Sequence, residues 1–324
     1  MLSDSVVQRL SSFAVDDIAA EMAQLETILQ DVSRTEYSFI RDIVRVAFAH
    51  SGQRLRPVVA LLSGQLAAAA AAPTLSLAAS VEALHAASLV HDDLIDQSFI
   101  RRGHPTLGAH LSAETTVLAG DYLFARAAAF AAATGNPRVV RVFSACLMSM
   151  CAAELAQLTA RRGVPSRDEY LARIHGKTAV LFATAAECGA ILGAVDEAGV
   201  SALRSYGEQL GLALQIVDDV LDFVADSTSL GRPSGSALRQ GTLTLPALYA
   251  AAYGDAPLLE ALAGDIDAVA EVIDAVREGG AADLALADAR AYADGAVAAL
   301  GWFPPVAARH ALERLAHVAV ERSA

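Results

Sequence analysis

LHAASLVHDDLID, residues 84–96, decides how this chain is read. It closes a tract, running from Pro57 to about residue 100, that is apolar nearly throughout. A helix apolar on all sides is one buried in a larger bundle. Strands would show alternating runs of β-branched residues, and none occur here, so the chain is predicted to be all-α. Into this tract the sequence places Asp92, Asp93 and Asp96. Residues i and i+4 of a helix lie about 40° apart around the axis and ~6 Å along it, so Asp92 and Asp96 share a face.

One such cluster is ordinarily a solvated acidic face or a helix end. Here it has a twin: QIVDDVLDF, residues 215–223, repeats D-D-x-x-D as Asp218, Asp219 and Asp222. Buried like charges at this spacing raise each other's pKa unless something positive compensates. Hard carboxylate oxygens suit magnesium, which takes one or two carboxylates and completes its shell with water and substrate phosphate. Two such clusters facing each other would hold magnesium on either side of a diphosphate, neutralising charge as the diphosphate leaves a carbon.

A diphosphate also needs cations. Arg101 and Arg102 follow the first cluster, and arginine grips phosphate through paired hydrogen bonds. SGQRLRP, residues 51–57, brings Arg54 and Arg56 to the start of a helix, where anions are favoured. His85 precedes Asp92 by two helical turns, HGKTAVL supplies Lys177 and Thr178, and Gln215 stands one turn before Asp218. Gly176-Lys177-Thr178 is not the end of a phosphate-binding P-loop, because Leu171 occupies the position of its first glycine. Each of these residues alone is better explained as packing or solvated charge; their ordered set carries the weight.

The remaining sequence frames the site. DDIAAEMAQLETILQDV and SFIRDIVRVAFAH read as amphipathic helices, and Gly103-His104-Pro105, Gly135-Asn136-Pro137, Gly163–Ser166, Gly231–Gly235 and Gly279-Gly280 punctuate the chain. No long linker appears, so residues 1–324 are expected to form one domain. A net charge of −13 argues against nucleic acid, whose binding requires basic patches. Cys146, Cys151 and Cys188 have neither disulfide nor zinc spacing. The N-terminus is not a secretory signal, and the alanine-rich tract near residues 66–80 is interrupted by Pro73. A cytoplasmic protein without a transmembrane segment is expected.

The set resembles the trans-isoprenyl diphosphate synthases, or polyprenyl synthetases, from about Ser51 to Leu248. Its markers are SGQRLRP, LHAASLVHDDLIDQSFIRRGHPT, LAGDYLFARA, AAELAQL, HGKTAVL, LQIVDDVLDF and GTLTLPAL. The resemblance implies the type I isoprenoid synthase fold, a helical barrel around one deep cavity, and a homodimer, with a heteromer as the variant. It implies that Asp92, Asp96 and Asp218, supported by Asp93, Asp219 and Asp222, carry three magnesium ions. Arg101, Lys177 and Arg232 would contact the allylic diphosphate, with Thr178 and Gln215 beside its reacting carbon. Gln53, Arg56, His85 and Arg102 would bind isopentenyl diphosphate. The reaction implied is ionisation, condensation and elimination.

Some positions depart from the family. Its first motif commonly reads GGKRLRP, where this chain has Ser51 and Gln53; Arg232, Ala237 and Thr242 replace a lysine, an aspartate and a lysine. Each lost cation removes a charged hydrogen bond worth roughly 1.5–3 kcal/mol. For product length, short-chain members carry a bulky aromatic four or five residues before the first aspartate motif. Here those positions are Ser88 and Ala87, with Leu84 and Val81 deeper along the helix, and the product is expected to exceed C20. Phe143, Leu147, Met148 or Met150 offers a deeper floor. Three alternatives stand beside this: a farnesyl or geranylgeranyl synthase, a non-catalytic subunit of a heteromeric enzyme, and a terpene cyclase. The second D-D-x-x-D argues against the cyclase.

Overall fold

The computed structural model describes residues 18–32, 37–50, 54–101, 103–159, 163–225, 234–250, 258, 260, 261 and 264–321. Gln53, Arg102 and Arg232 lie outside the described residues. The chain is helical as expected: α1 (Ala19–Val32), α2 (Ser38–His50), α3 (Leu55–Leu66), α4 (Ala71–Ile95), α5 (Ala113–Ala133), α6 (Pro137–Thr159), α7 (Arg167–Ile174), α8 (Val180–Ile191), α9 (Glu197–Val224), α10 (Ser236–Arg239), α11 (Leu245–Ala250), α12 (Ile266–Glu278), α13 (Ala281–Ala299) and α14 (Ala307–Val320). The Gly103 turn is more ordered than a plain loop. It joins β1 (Ile100–Arg101) to β2 (His104–Pro105), an antiparallel pair in which Arg101 sits opposite His104.

Local chemistry sets where helices begin. Ser166 accepts from the Glu169 amide while the Glu169 carboxylate accepts from the Ser166 amide, a capping box that starts α7. Asp196 and Asp265 accept amide protons at the starts of α9 and α12. The long helices α4 and α9 carry the two aspartate clusters. As its all-round apolarity predicts, α4 is buried along most of its length, from Thr74 to Asp93.

Backbone contact brings the walls of the bundle together. A Cβ at Gly207 of α9 would lie 2.4 Å from the Phe182 carbonyl oxygen of α8, and one at Gly211 would lie 2.6 Å from the Ala179 Cα. On the other side of α8, a Cβ at Gly189 would lie 2.9 Å from the Ala60 carbonyl oxygen of α3. Small residues at these points let three helices approach closely, and larger ones would push them apart. A second apolar cluster, built from Phe223, Leu238, Leu243, Val269, Val272 and Val276 among others, packs under the C-terminal end of α9.

Candidate active site

A cavity of about 340 Å³ opens between these helices, and both acidic clusters line it. From α4 come His85, Ser88, Leu89 and Asp92, with Asp96 just past the helix end; from α9 come Leu214, Gln215, Asp218, Asp219 and Asp222. Asp96 is the C-cap residue of α4, its amide donating to the Asp92 carbonyl at 2.8 Å, so the two side chains stay one turn apart as expected. Asp93, expected in a supporting role, stands apart from Asp92. It is absent from the cavity lining and instead accepts from Arg101, at 2.8 Å from Nε and 2.7 Å from Nη2. It thereby fixes a guanidinium that does line the cavity.

Lys177 faces the first cluster. Its ammonium stands 3.6 Å from Asp92 Oδ2 and is also paired with Glu154, on α6. Glu154 is the single acid of AAELAQL, and nothing in its spacing marks it as a partner for Lys177. Lys177 lies in a π-helical turn, His175–Ala179, inserted between α7 and α8. Gly176 makes room for that turn, since a Cβ there would sit 2.8 Å from the Ala153 Cβ. The wider turn carries the adjacent Lys177 and Thr178 to the cavity together. Burial by itself would lower the Lys177 pKa, but Asp92 and Glu154 outweigh it and leave it raised.

The second wall is a hydrogen-bonded relay. Thr178 Oγ1 donates to Gln215 Oε1 at 2.8 Å, Gln215 Nε2 donates to Asp219 Oδ1 at 2.8 Å, and the buried Tyr170 hydroxyl donates to Asp219 Oδ2 at 2.8 Å. Tyr170 carries no signal in sequence; only the fold brings it to α9. Asp222 Oδ2 accepts from the Ala237 amide at 3.0 Å, at the position where the expected aspartate is missing. The Thr242 amide donates to the Ala237 carbonyl at 2.9 Å, placing both departures in one turn. That turn borders a second, open recess of about 740 Å³, which shares Asp96, Lys177, Thr178, Gln215 and Asp219 with the first.

Arg56 and His85 line the first cavity as expected, with the Arg56 guanidinium 4.6 Å from the centre of the Phe182 ring. Of the chain-length residues, Ser88 lines the cavity, whereas Val81, Leu84 and Ala87 are fully buried in the core beside it. Among the α6 candidates Met150 lines the cavity, Phe143 is buried, Leu147 is partly buried against the core, and Met148 points outward, 67% exposed.

The site's electrostatics favour a cation. Burial, the largest influence, together with Glu154 and Asp96, pushes Asp92 up to about 6 despite Lys177. Burial likewise pushes Asp219 up to about 6 against the hydrogen bonds from Tyr170 and Gln215. A carboxyl whose folded pKa exceeds its unfolded value near 3.8 stabilises the fold below that value, and the contribution is lost as pH rises through 6. For Asp219 the span is worth about 3 kcal/mol. In chelator, Asp219→Asn should therefore gain stability relative to the parent between pH 4.5 and 7.5, measured by urea unfolding. A difference that stays flat with pH contradicts this.

An all-α bundle with two aspartate clusters lining one cavity is the architecture of the type I isoprenoid synthases. The Polyprenyl synthetase family model matches residues 37–278. The heptaprenyl diphosphate synthase component 2 of Geobacillus stearothermophilus is 36% identical over 317 residues, covering 96% of this chain and 97% of that one. The octaprenyl diphosphate synthase of Escherichia coli K12 is 31% identical, covering 94% and 96%. The crystal structure of a polyprenyl synthase from Caulobacter crescentus CB15, complexed with calcium and isoprenyl diphosphate, superposes with a TM-score of 0.89 at 35% identity, covering 97% and 98%. The chain belongs to the polyprenyl synthetase family, and it is a prenyltransferase.

Proposed function

We propose that this protein is a single-domain, all-trans polyprenyl diphosphate synthase that condenses isopentenyl diphosphate with an allylic diphosphate to give a product longer than C20. The observation that carries this is the pair of aspartate clusters lining one cavity together with Lys177, Arg101, Arg56 and His85.

The donor set fits magnesium. Asp92, Asp96, Asp218 and Asp222 offer hard oxygens from two sides, and burial holds Asp92 up at about 6 despite Lys177. When bound, magnesium supplies Lewis-acid neutralisation of the departing diphosphate. Lys177 and Arg101, with Arg232, hold that diphosphate, and Lys177 exchanges Asp92 and Glu154 for it. Thr178 Oγ1 and Gln215 Oε1 present oxygen lone pairs toward the carbon where positive charge develops. Arg56, His85, Gln53 and Arg102 orient isopentenyl diphosphate so that its double bond meets that carbon. The proton lost in elimination goes to the released diphosphate, since the protein carboxylates are engaged with cations and hydrogen bonds.

Product length follows from what bounds the cavity. Ser88 stands on the α4 wall at a position where an aromatic would close it, and the apolar lining is Leu55, Leu89, Met150, Leu181, Phe182 and Leu214. Met150 is unbranched and adaptable, so it is the side chain that yields as the chain grows. Ser88→Phe should shorten the product by at least one isoprene unit, read by chromatography of the dephosphorylated alcohols. An unchanged length contradicts the path, and a parent product stopping at C15 or C20 contradicts the long-chain assignment.

Among the described residues one helix, α6, is long and apolar enough to cross a bilayer by length and composition, with 22% of its most apolar window buried. Glu154, ion-paired with Lys177, argues against a span. Met148, Leu155 and Leu158 on α6, with Val117 and Leu118 on α5, are instead the faces a second copy would cover in a cytoplasmic homodimer. A second reading, a heteromer, is favoured by the relative described as component 2. Sedimentation of the lone chain as a monomer would support it.

A further inference from the structure

We propose that Arg54 is a positioning residue that ties together the two walls of the isopentenyl subsite; this rests on the assignment of Arg56 and His85 to that subsite. SGQRLRP presents Arg54 and Arg56 as equivalent anion ligands, but the fold separates them. Arg54 is the residue before α3 and has φ 59°, ψ 23°, a left-handed conformation that L-residues adopt only at a cost. Its guanidinium accounts for that conformation. Nε donates to Glu26 Oε1 at 2.8 Å, Nη1 to Glu82 Oε1 at 2.6 Å, and Nη2 to the Phe48 carbonyl at 3.1 Å. Three partners in three directions suit the planar fork of arginine; an ammonium cannot span them at the same backbone position.

These partners sit on α1, α2 and α4. Glu82 is 1% exposed and Arg54 13%, so their ion pair is shielded from water, where loss of one partner strands the other's charge. Arg54 stands two residues before Arg56, and Glu82 stands one turn before His85 on α4. The Arg54–Glu82 bond therefore spans the segments that present Arg56 and His85. Arg54 and Glu82 both line the cavity, so this link borders the space where the substrate would lie. In this account the Arg54 guanidinium stays with its carboxylates while Arg56 meets the phosphate.

The test is steady-state kinetics of Arg54→Lys, Glu26→Gln and, as a control, Arg56→Gln, varying each substrate with the other saturating, with thermal melts of each variant. Arg54→Lys should raise the isopentenyl diphosphate KM about tenfold while the allylic KM stays within about twofold, the size expected from losing well-placed charged hydrogen bonds. Glu26→Gln should move the same KM about threefold with its melting curve preserved, because Glu26 is 44% exposed and its replacement still accepts a hydrogen bond. If Arg54→Lys fails to fold, Glu26→Gln decides. An unchanged isopentenyl KM in the folded variants, or parallel rises in both KM values, overturns the proposal. If Arg56→Gln also leaves that KM unchanged, the subsite assignment fails with it; if Arg56→Gln raises it, only the role of Arg54 is refuted.

Discussion

Asp92→Ala is expected to abolish turnover, lowering kcat by roughly a thousandfold or more, as when a principal electrostatic contact to a leaving group is lost. Asp92 is the carboxylate on the α4 wall that also faces Lys177, so its removal affects both the metal and the cation that should meet the diphosphate. Lys177 would keep Glu154 as its partner, and the bundle should remain folded because no buried charge is left unpaired. Circular dichroism would check the fold, and single-turnover assays would locate the loss in ionisation. A folded Asp92→Ala variant with near-parental kcat would remove the basis for the metal role.

Gly207→Val is expected to have the largest effect on stability, a loss above about 4 kcal/mol, enough to unfold a protein of ordinary marginal stability. The obstacle is backbone: a Cβ at Gly207 would lie 2.4 Å from the Phe182 carbonyl oxygen and 2.8 Å from the Ala183 Cα. No rotamer change relieves such a contact, so α8 and α9 would have to separate. That separation would break the Thr178–Gln215 and Tyr170–Asp219 bonds, coupling stability to the site. Gly301→Ala meets nothing within 4 Å and should be nearly neutral. Urea unfolding of both variants checks this, and a Gly207→Val variant within 1 kcal/mol of the parent contradicts it.

Much of this site was legible because its chemistry is repeated and local. Two D-D-x-x-D clusters in apolar surroundings could be placed on helices by period alone, and the cavity does collect Asp92, Asp96, Asp218, Asp219 and Asp222. What escaped depended on pairings and turns that the fold sets. Asp93 looks identical to Asp92 in the motif, yet the hairpin after α4 returns Arg101 to it. Arg54 and Arg56 look interchangeable until Glu26 and Glu82, each 28 residues away, engage one of them. Tyr170 reaches Asp219 across 49 residues, and no period or spacing announces that meeting. The π-helical turn at Lys177 was equally hidden, because HGKTA has no composition that distinguishes it from an ordinary helical turn.

The proposed synthase joins isopentenyl diphosphate to an allylic diphosphate between its two aspartate walls without a second subunit. The most direct measurement is incorporation of labelled isopentenyl diphosphate into extractable prenyl product by the purified chain, with farnesyl diphosphate as primer, with magnesium and with chelator. Magnesium-dependent incorporation by the lone chain into products longer than C20 is expected, abolished in Asp92→Ala and in Asp218→Ala. No incorporation by the folded lone chain, or incorporation that survives chelation and both substitutions, would contradict it.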